Sequence, residues 1–187
     1  MQAMRPDPGT SDEALAVRAS QGNEEAVSVL VRRYSRPLYS FIHRYHPDRD
    51  DCDDLFQETW MHALTSLNRF QPGRRFSTWL FQIALNQCRD LARRGQVRSR
   101  FRAVSGGTQN EQVWRSAEEE TEATMVLDAI KEMPVLHREV LILRYYNGFS
   151  EAETSEILGC PRGTVKSRLH EAVKIIRHRL DPGEEET

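Results

Sequence analysis

Residues 150–180, SEAETSEILGCPRGTVKSRLHEAVKIIRHRL, constrain the fold more than any other stretch of the chain. Ala152, Ile157 and Leu158 can share one helix face, Gly159 and Cys160 interrupt the period, and Pro161-Arg162-Gly163-Thr164 opens a second helix. That helix carries Val165, Leu169, Ala172 and Ile176 at spacings of three and four, the period of one buried stripe. The pattern is a helix-turn-helix. Away from the stripe lie Lys166, Ser167, His170 and Lys174, with Arg162 near the amino end. Such a cationic, hydrogen-bonding side suits a helix lying in a DNA major groove. An ordinary helical hairpin with a solvated basic face satisfies the same pattern, so the rest of the chain has to decide.

Strand-like alternation is absent throughout, which makes the expected class all-α. At 187 residues there is room for two small helical domains, each able to bury a core. Residues 1–10 lack periodicity and are expected to be disordered. An amino-terminal helical domain is predicted over residues 11–95. Its first helix starts at Ser11 and stops at Gly22-Asn23. Asn23 caps a second that carries Ala26, Leu30, Tyr34, Leu38, Phe41 and Tyr45 to about His46, tolerating Pro37. The acidic run DRDDCDD, residues 48–54, precedes an apolar stripe of Leu55, Phe56, Thr59, Trp60, Ala63 and Leu67 and favours a helix amino end. Asn68 to Arg75 is a loop by its Pro-Gly pair. Ser77 can cap the next helix, with Trp79, Leu80, Ile83, Ala84 and Leu91 on its stripe and an end near Arg94-Gly95. Residues 96–121, rich in Gly, Ser, Thr and Glu, are predicted to be a flexible linker. Residues 122–181 form the helix-turn-helix domain, and 182–187 a loose acidic tail.

The charge is uneven along the chain although its formal sum is only -2. Residues 69–102 hold nine Arg and one Asp, 103–139 hold eight acids and three bases, and 159–180 hold six bases and one acid. Two basic blocks separated by an acidic connector suit two contact points on one polyanion. In the first block Phe70, Phe76, Trp79 and Phe81 alternate with Arg74, Arg75, Arg89, Arg93 and Arg94, a mixture that can stack unpaired bases and neutralise phosphates. The same aromatics could instead be core under a solvated basic face. The loop residues Asn68, Phe70, Gln71, Arg74 and Arg75 have no evident core to fill and are the better candidates.

Other classes are disfavoured. No run of about 18 apolar residues spans a membrane, no secretion signal opens the chain, and a cytoplasmic protein without direct membrane insertion is expected. Cys52, Cys88 and Cys160 fit neither a disulfide framework nor a metal clamp. His43, His46 and Cys52 lack a fourth ligand at a matching spacing, and the aspartates of residues 50–54 lack the glycine and distal glutamate of a calcium loop. An acidic docking surface for a basic protein suits them better. No phosphate-cradling loop or nucleophile motif occurs. We therefore expect no catalytic residues, no metal, no cofactor and no small-molecule substrate. Only seven residues follow Leu180, and no regulatory domain is expected after it.

Three segments, DDCDDLFQETWMHALTSLNRF (50–70), FSTWLFQIALNQCRDLARR (76–94) and MPVLHREVLILRYYNGFSEAETSEILGCPRGTVKSRLHEA (133–172), together resemble bacterial RNA polymerase sigma factors of the extracytoplasmic-function, or group four, type. The resemblance implies two helical domains, sigma two and sigma four, joined by a linker, and a non-enzymatic role in promoter recognition and DNA opening. It implies that Asp53, Asp54, Leu55, Gln57, Glu58 and Trp60 dock on core RNA polymerase. Asn68, Phe70, Gln71, Arg74, Arg75, Phe76, Ser77, Trp79, Arg89 and Arg93 would hold the opened minus-ten strand, and the early linker residues Arg98, Arg100 and Arg102 would lie near nucleic acid. Arg162, Thr164, Lys166, Ser167, Arg168, His170 and Lys174 would read the minus-thirty-five element of promoter DNA. An anti-sigma factor is a further implied partner. The alternative is a conventional operator-binding regulator with a sensing or dimerising first domain.

Overall fold

A computed structural model describes residues 9–45, 49–104, 126, 129, 130 and 132–180. The expectations for residues 1–8, for most of the linker and for the tail fall outside them, as do those for the side chains of Arg98, Arg100 and Arg102. Among the described residues the regular structure is entirely helical, as the period of the sequence demands.

Helix α1, Asp12–Ser20, opens on Ser11, whose hydroxyl accepts from the Ala14 N–H at 3.2 Å. Asp12 and Glu13 place negative charge at the positive helix end. Gly22, at φ 85°, then reverses the chain, a conformation that costs a side-chain-bearing residue about 1–2 kcal/mol. The Asn23 side chain accepts from the Ala26 N–H at 2.7 Å and starts α2, Glu24–Tyr45, which carries Pro37 internally. Asp12 pins α1 to α2 by accepting from the Arg33 guanidinium and from the Tyr34 hydroxyl, each at 2.5 Å.

Helix α3, Arg49–Ser66, buries Cys52, Leu55, Thr59, Trp60 and Ala63, the stripe that its spacing requires. A short 3-10 turn, Leu67–Arg69, leads into the loop. Helix α4, Phe76–Val104, differs from expectation at both ends. It begins one residue before Ser77, so Ser77 lies in the first turn and does not cap it. It also runs through Gly95 into the predicted linker. One interior glycine costs only about 1 kcal/mol of helix propensity, too little to stop a helix so well anchored upstream.

In the carboxy-terminal half, Pro134 starts α5, Val135–Leu141, followed by a π-helical turn, Ile142–Tyr146. Gly148 at φ 71° turns the chain into the helix-turn-helix. There α6, Glu151–Leu158, has a complete capping box between Ser150 and Glu153 and ends at Gly159 in the left-handed region, φ 65°. Helix α7, Arg162–Leu180, follows and buries Val165 and Ala172, with Leu169 and Ile176 half-buried.

The two halves are not merely tethered. One hydrophobic core runs from Leu15 and Phe41 through Phe81 and Leu85 to Phe149, Ile157 and Val165. At the junction Phe81 meets Phe149 edge-on at 4.9 Å between ring centroids and Phe41 at 5.3 Å. Each such pair is worth about 0.5–1.5 kcal/mol beyond its burial. A smaller cluster of Ile130, Met133, Leu141 and Ala172 seats α7. Cys52 and Cys88 behave as core residues, and burial pushes the Cys88 thiol up to about 12, while Cys160 is half-buried.

The start of α6 gives a pH test. Burial would raise the Glu153 carboxyl, but hydrogen bonds from Ser150 and the nearby Arg75 guanidinium outweigh it and hold the group below the ordinary glutamate range. A depressed folded pKa contributes stability above the unfolded value of about 4.3 and loses it as pH falls through the folded value. Glu153→Gln should therefore be less stable than the native chain at neutral pH. The gap should close as pH falls through and below the ordinary glutamate range, measured by thermal unfolding across a pH series.

Candidate nucleic-acid interface

Three surfaces gather the residues singled out by the sequence. The first lies on α3. Asp53, Asp54, Gln57 and Glu58 are exposed, and Asp53 accepts from the Tyr39 hydroxyl at 2.9 Å. Beside them a groove of about 410 Å³ lies between α3 and α4, lined by the carboxylates of Asp51, Asp54, Glu58 and Asp90, by His62 and Arg94, and by the apolar Leu55, Ile83 and Leu91. Thr59 fixes its width, its hydroxyl 2.5 Å from Gln87 Oε1 on α4. Acid above apolar ground suits a basic amphipathic helix. Trp60 does not belong to the outer face: at 6% exposure it points into the core, on the inward stripe with Cys52 and Thr59, whereas Leu55, buried at 3% exposure, also lines the groove. The α4 wall, Asn86, Gln87 and Asp90, was missed by sequence reasoning, since only the packing of α3 on α4 brings it there.

The second surface surrounds the loop of residues 68–75. Asn68 and Gln71 are exposed, and Ser77 and Trp79 are half-buried. Phe70 corrects the expectation that the loop has no core to fill. It is buried, with its ring 5.9 Å from Phe76 and 5.4 Å from Trp79, and Phe76 in turn meets Tyr34 at 5.4 Å. Phe70 and Phe76 are thus the support beneath the loop, where neither ring face is open to a base. The Glu13 carboxylate accepts from the Phe76 N–H at 3.2 Å, tying the amino end of α4 to α1. Between loop and helices lies a cavity of about 530 Å³ whose walls include Asp12, Arg33, Tyr34, Arg74, Arg75 and Ser77. Asp12 and Arg33 could not be found from sequence, because their contact spans 21 residues and leaves no local signal. Burial first, and then the bond to Asp12, raises the Tyr34 hydroxyl, which stays protonated.

The basic residues of this surface are engaged. Arg74 pairs with Glu156 at 2.6 Å and reaches Gln82 at 3.1 Å, and Arg75 pairs with Glu153 at 2.9 Å. Arg89 sits on Glu139 through Nε at 2.9 Å and Nη2 at 2.6 Å, and Glu139 also accepts from the Tyr45 hydroxyl at 2.9 Å. Arg93 is exposed and pairs with Asp90.

The third surface is α7. Arg162, Lys166, Ser167, His170 and Lys174 are exposed, while Thr164 and Arg168 are half-buried. Arg168 turns towards Cys160, with Nη1 3.9 Å from the sulfur, and Lys166 lies 3.8 Å from Glu151. Residues 162, 166, 170 and 174 recur every four positions, forming a cationic ridge about 18 Å long. Among the described residues no group of three or more His, Cys, Asp or Glu could hold a metal ion, and no helix is long and apolar enough to cross a membrane.

Residues 30–98 match the family described as Sigma-70 region 2, and residues 123–176 match Sigma-70, region 4. The chain is 35% identical over 167 residues to the RNA polymerase sigma factor NccH of Alcaligenes xylosoxydans xylosoxydans, covering 86% of this chain and 90% of that protein. It is 30% identical over 183 residues to the ECF RNA polymerase sigma-E factor of Haemophilus influenzae, covering 92% and 96%. Among solved structures it is similar to CnrH in complex with the cytosolic domain of CnrY, with a TM-score of 0.71 at 27% identity, covering 94% of this chain and 100% of that one. It is also similar to RpoE of Bartonella quintana in complex with the anti-sigma factor NepR, with a TM-score of 0.67 at 25% identity, covering 84% and 98%. With both sigma regions present in order and near-complete coverage of these relatives, the chain belongs to the extracytoplasmic-function family of RNA polymerase sigma factors.

Proposed function

We propose that this sigma factor directs promoter recognition by a two-point grip, with the loop and α4 of its first half on the opened minus-ten strand and α7 on the minus-thirty-five duplex. Sigma factors are not enzymes in the usual sense, and the reading needs no catalytic group in this chain: binding energy does the work. Base capture offsets an unstacking cost of a few kcal/mol per base. The observation that carries the reading is the pairing of two separate basic surfaces with an acidic groove on α3, because a regulator with a sensing first half has no use for the groove. Asp53, Asp54, Gln57 and Glu58 form the polymerase-facing edge. Asn68, Gln71, Arg74, Arg75, Ser77, Trp79, Arg89 and Arg93 face the strand, supported by Phe70 and Phe76. Arg162, Lys166, Ser167, His170 and Lys174 meet the duplex, with Thr164 and Arg168 at its edge. The domain limits proposed are 11–95 and 122–181, with the end of α4 entering the connection between them. The chain works in the cytoplasm, where polymerase is. Two similar proteins were solved with CnrY and with the anti-sigma factor NepR, and an anti-sigma factor is proposed as a partner of this chain as well.

Run-off transcription with purified core polymerase on a promoter library tests the whole reading: transcripts that depend on this chain are expected, and their absence on every template overturns it. Within it, replacing Asp54 and Gln57 with Ala is expected to weaken core binding about tenfold, equivalent to ~1.4 kcal/mol, with helical content unchanged in circular dichroism. Lys166→Ala acts elsewhere. It is expected to lower holoenzyme affinity for promoter duplex and to reduce the salt slope of binding by about one unit, read from a salt titration.

A further inference from the structure

We infer that α1 braces the strand-facing loop and that Glu13 is its positioning residue: the Glu13 carboxylate holds the first turn of α4, so that Ser77 and residues 68–75 keep the geometry that captures the opened strand. The inference deepens the strand-holding role proposed for that loop and rests on it. Helix α1 packs against both ends of the loop, on the 3-10 turn Leu67–Arg69 that enters it and on the start of α4 that leaves it. A loop pinned at both ends by one helix has fewer conformations to lose when it binds.

The start of α4 needs help from outside its own sequence. The first N–H groups of a helix have no partner within it, and the residue before this helix is Arg75, whose guanidinium has donors and no acceptor. Ser77 lies inside the first turn. The missing acceptor comes from 63 residues away: Glu13 Oε1 accepts from the Phe76 N–H at 3.2 Å, and its negative charge sits at the positive end of the helix dipole. Further contacts run from the same turn of α1. Asp12 accepts from the Tyr34 hydroxyl at 2.5 Å, and the Tyr34 ring meets Phe76 edge-on at 5.4 Å. The Thr10 carbonyl and Asp12 both accept from Arg33 Nη1, at 3.0 and 2.5 Å, which fixes where that turn sits on α2. Asp12, Glu13, Arg33 and Tyr34 line the cavity between the helices and the loop. In this role they touch no DNA and act through Phe76 and Ser77. A strand that binds only the ordered first turn loses affinity with the fraction of molecules in which that turn is frayed.

The test compares Glu13→Ala, which removes the acceptor, with Glu13→Gln, whose amide oxygen can still accept from the Phe76 N–H. Holoenzyme assembled from core polymerase and each variant is titrated against two labelled probes cut from the most active run-off template. One probe leaves the minus-ten segment as an unpaired bubble, and the other carries only the paired upstream half. Glu13→Ala is expected to bind the bubble about fivefold more weakly, with affinities for core and for the upstream duplex unchanged, and Glu13→Gln to restore most of the loss. Hydrogen exchange in the free chain is expected to quicken at the amides of residues 76–78 in Glu13→Ala and not in Glu13→Gln. Quicker exchange with bubble binding intact makes Glu13 a structural cap only and overturns the proposal. Unchanged exchange, an equal loss on the upstream duplex, or a Gln variant as weak as the Ala variant overturns it too. Absence of transcripts with the unmodified chain strikes the proposed function and not the brace, which the exchange measurement reads by itself.

Discussion

The arrangement depends on one buried carboxylate. Glu139, near the end of α5, reaches across to Arg89 on α4 and Tyr45 at the end of α2, so three helices from both halves share a single charge. Burial first, and then the neighbouring Glu139 charge, raises the Tyr45 hydroxyl, which keeps it a donor at physiological pH. A paired buried charge adds little net stability over a well-packed apolar group, but it punishes any arrangement in which its partners are absent. The Phe41–Phe81–Phe149 chain supplies the non-directional attraction at the seam, and Glu139 supplies the register.

That division explains how a chain of formal charge -2 can serve on a polyanion. Basic groups gather on the loop and on α7, and several acids lie in the groove of α3 or against the basic groups of the loop. The sum of charges therefore says less about the partner than where each charge sits.

Much of the fold was legible because it is local. Ser11 and Asn23 announce helix starts by side chains that reach only three residues, Gly159 announces a stop, and the stripes of α3 and α7 follow from period alone. The readings that failed needed distant partners. Phe70 looked like a loop residue free to stack on a base because Phe76 and Trp79 become its neighbours only when the loop folds over α4. Gly95 looked like a helix end, but one glycine costs too little helix propensity to stop α4. The seam was hidden for the same reason, with Arg89 and Glu139 separated by 50 residues and Arg74 and Glu156 by 82, across a connector whose composition suggests independence of the halves.

The closed seam is the central claim, and the distance between the halves tests it most directly. Spin labels at two exposed sites, Ser28 on α2 and Glu171 on α7, can be measured by double electron–electron resonance in the free chain and again with core polymerase. A single narrow distance in the free chain, lengthening when polymerase is added, is the predicted result. A broad distribution in the free chain that polymerase leaves unchanged would contradict it.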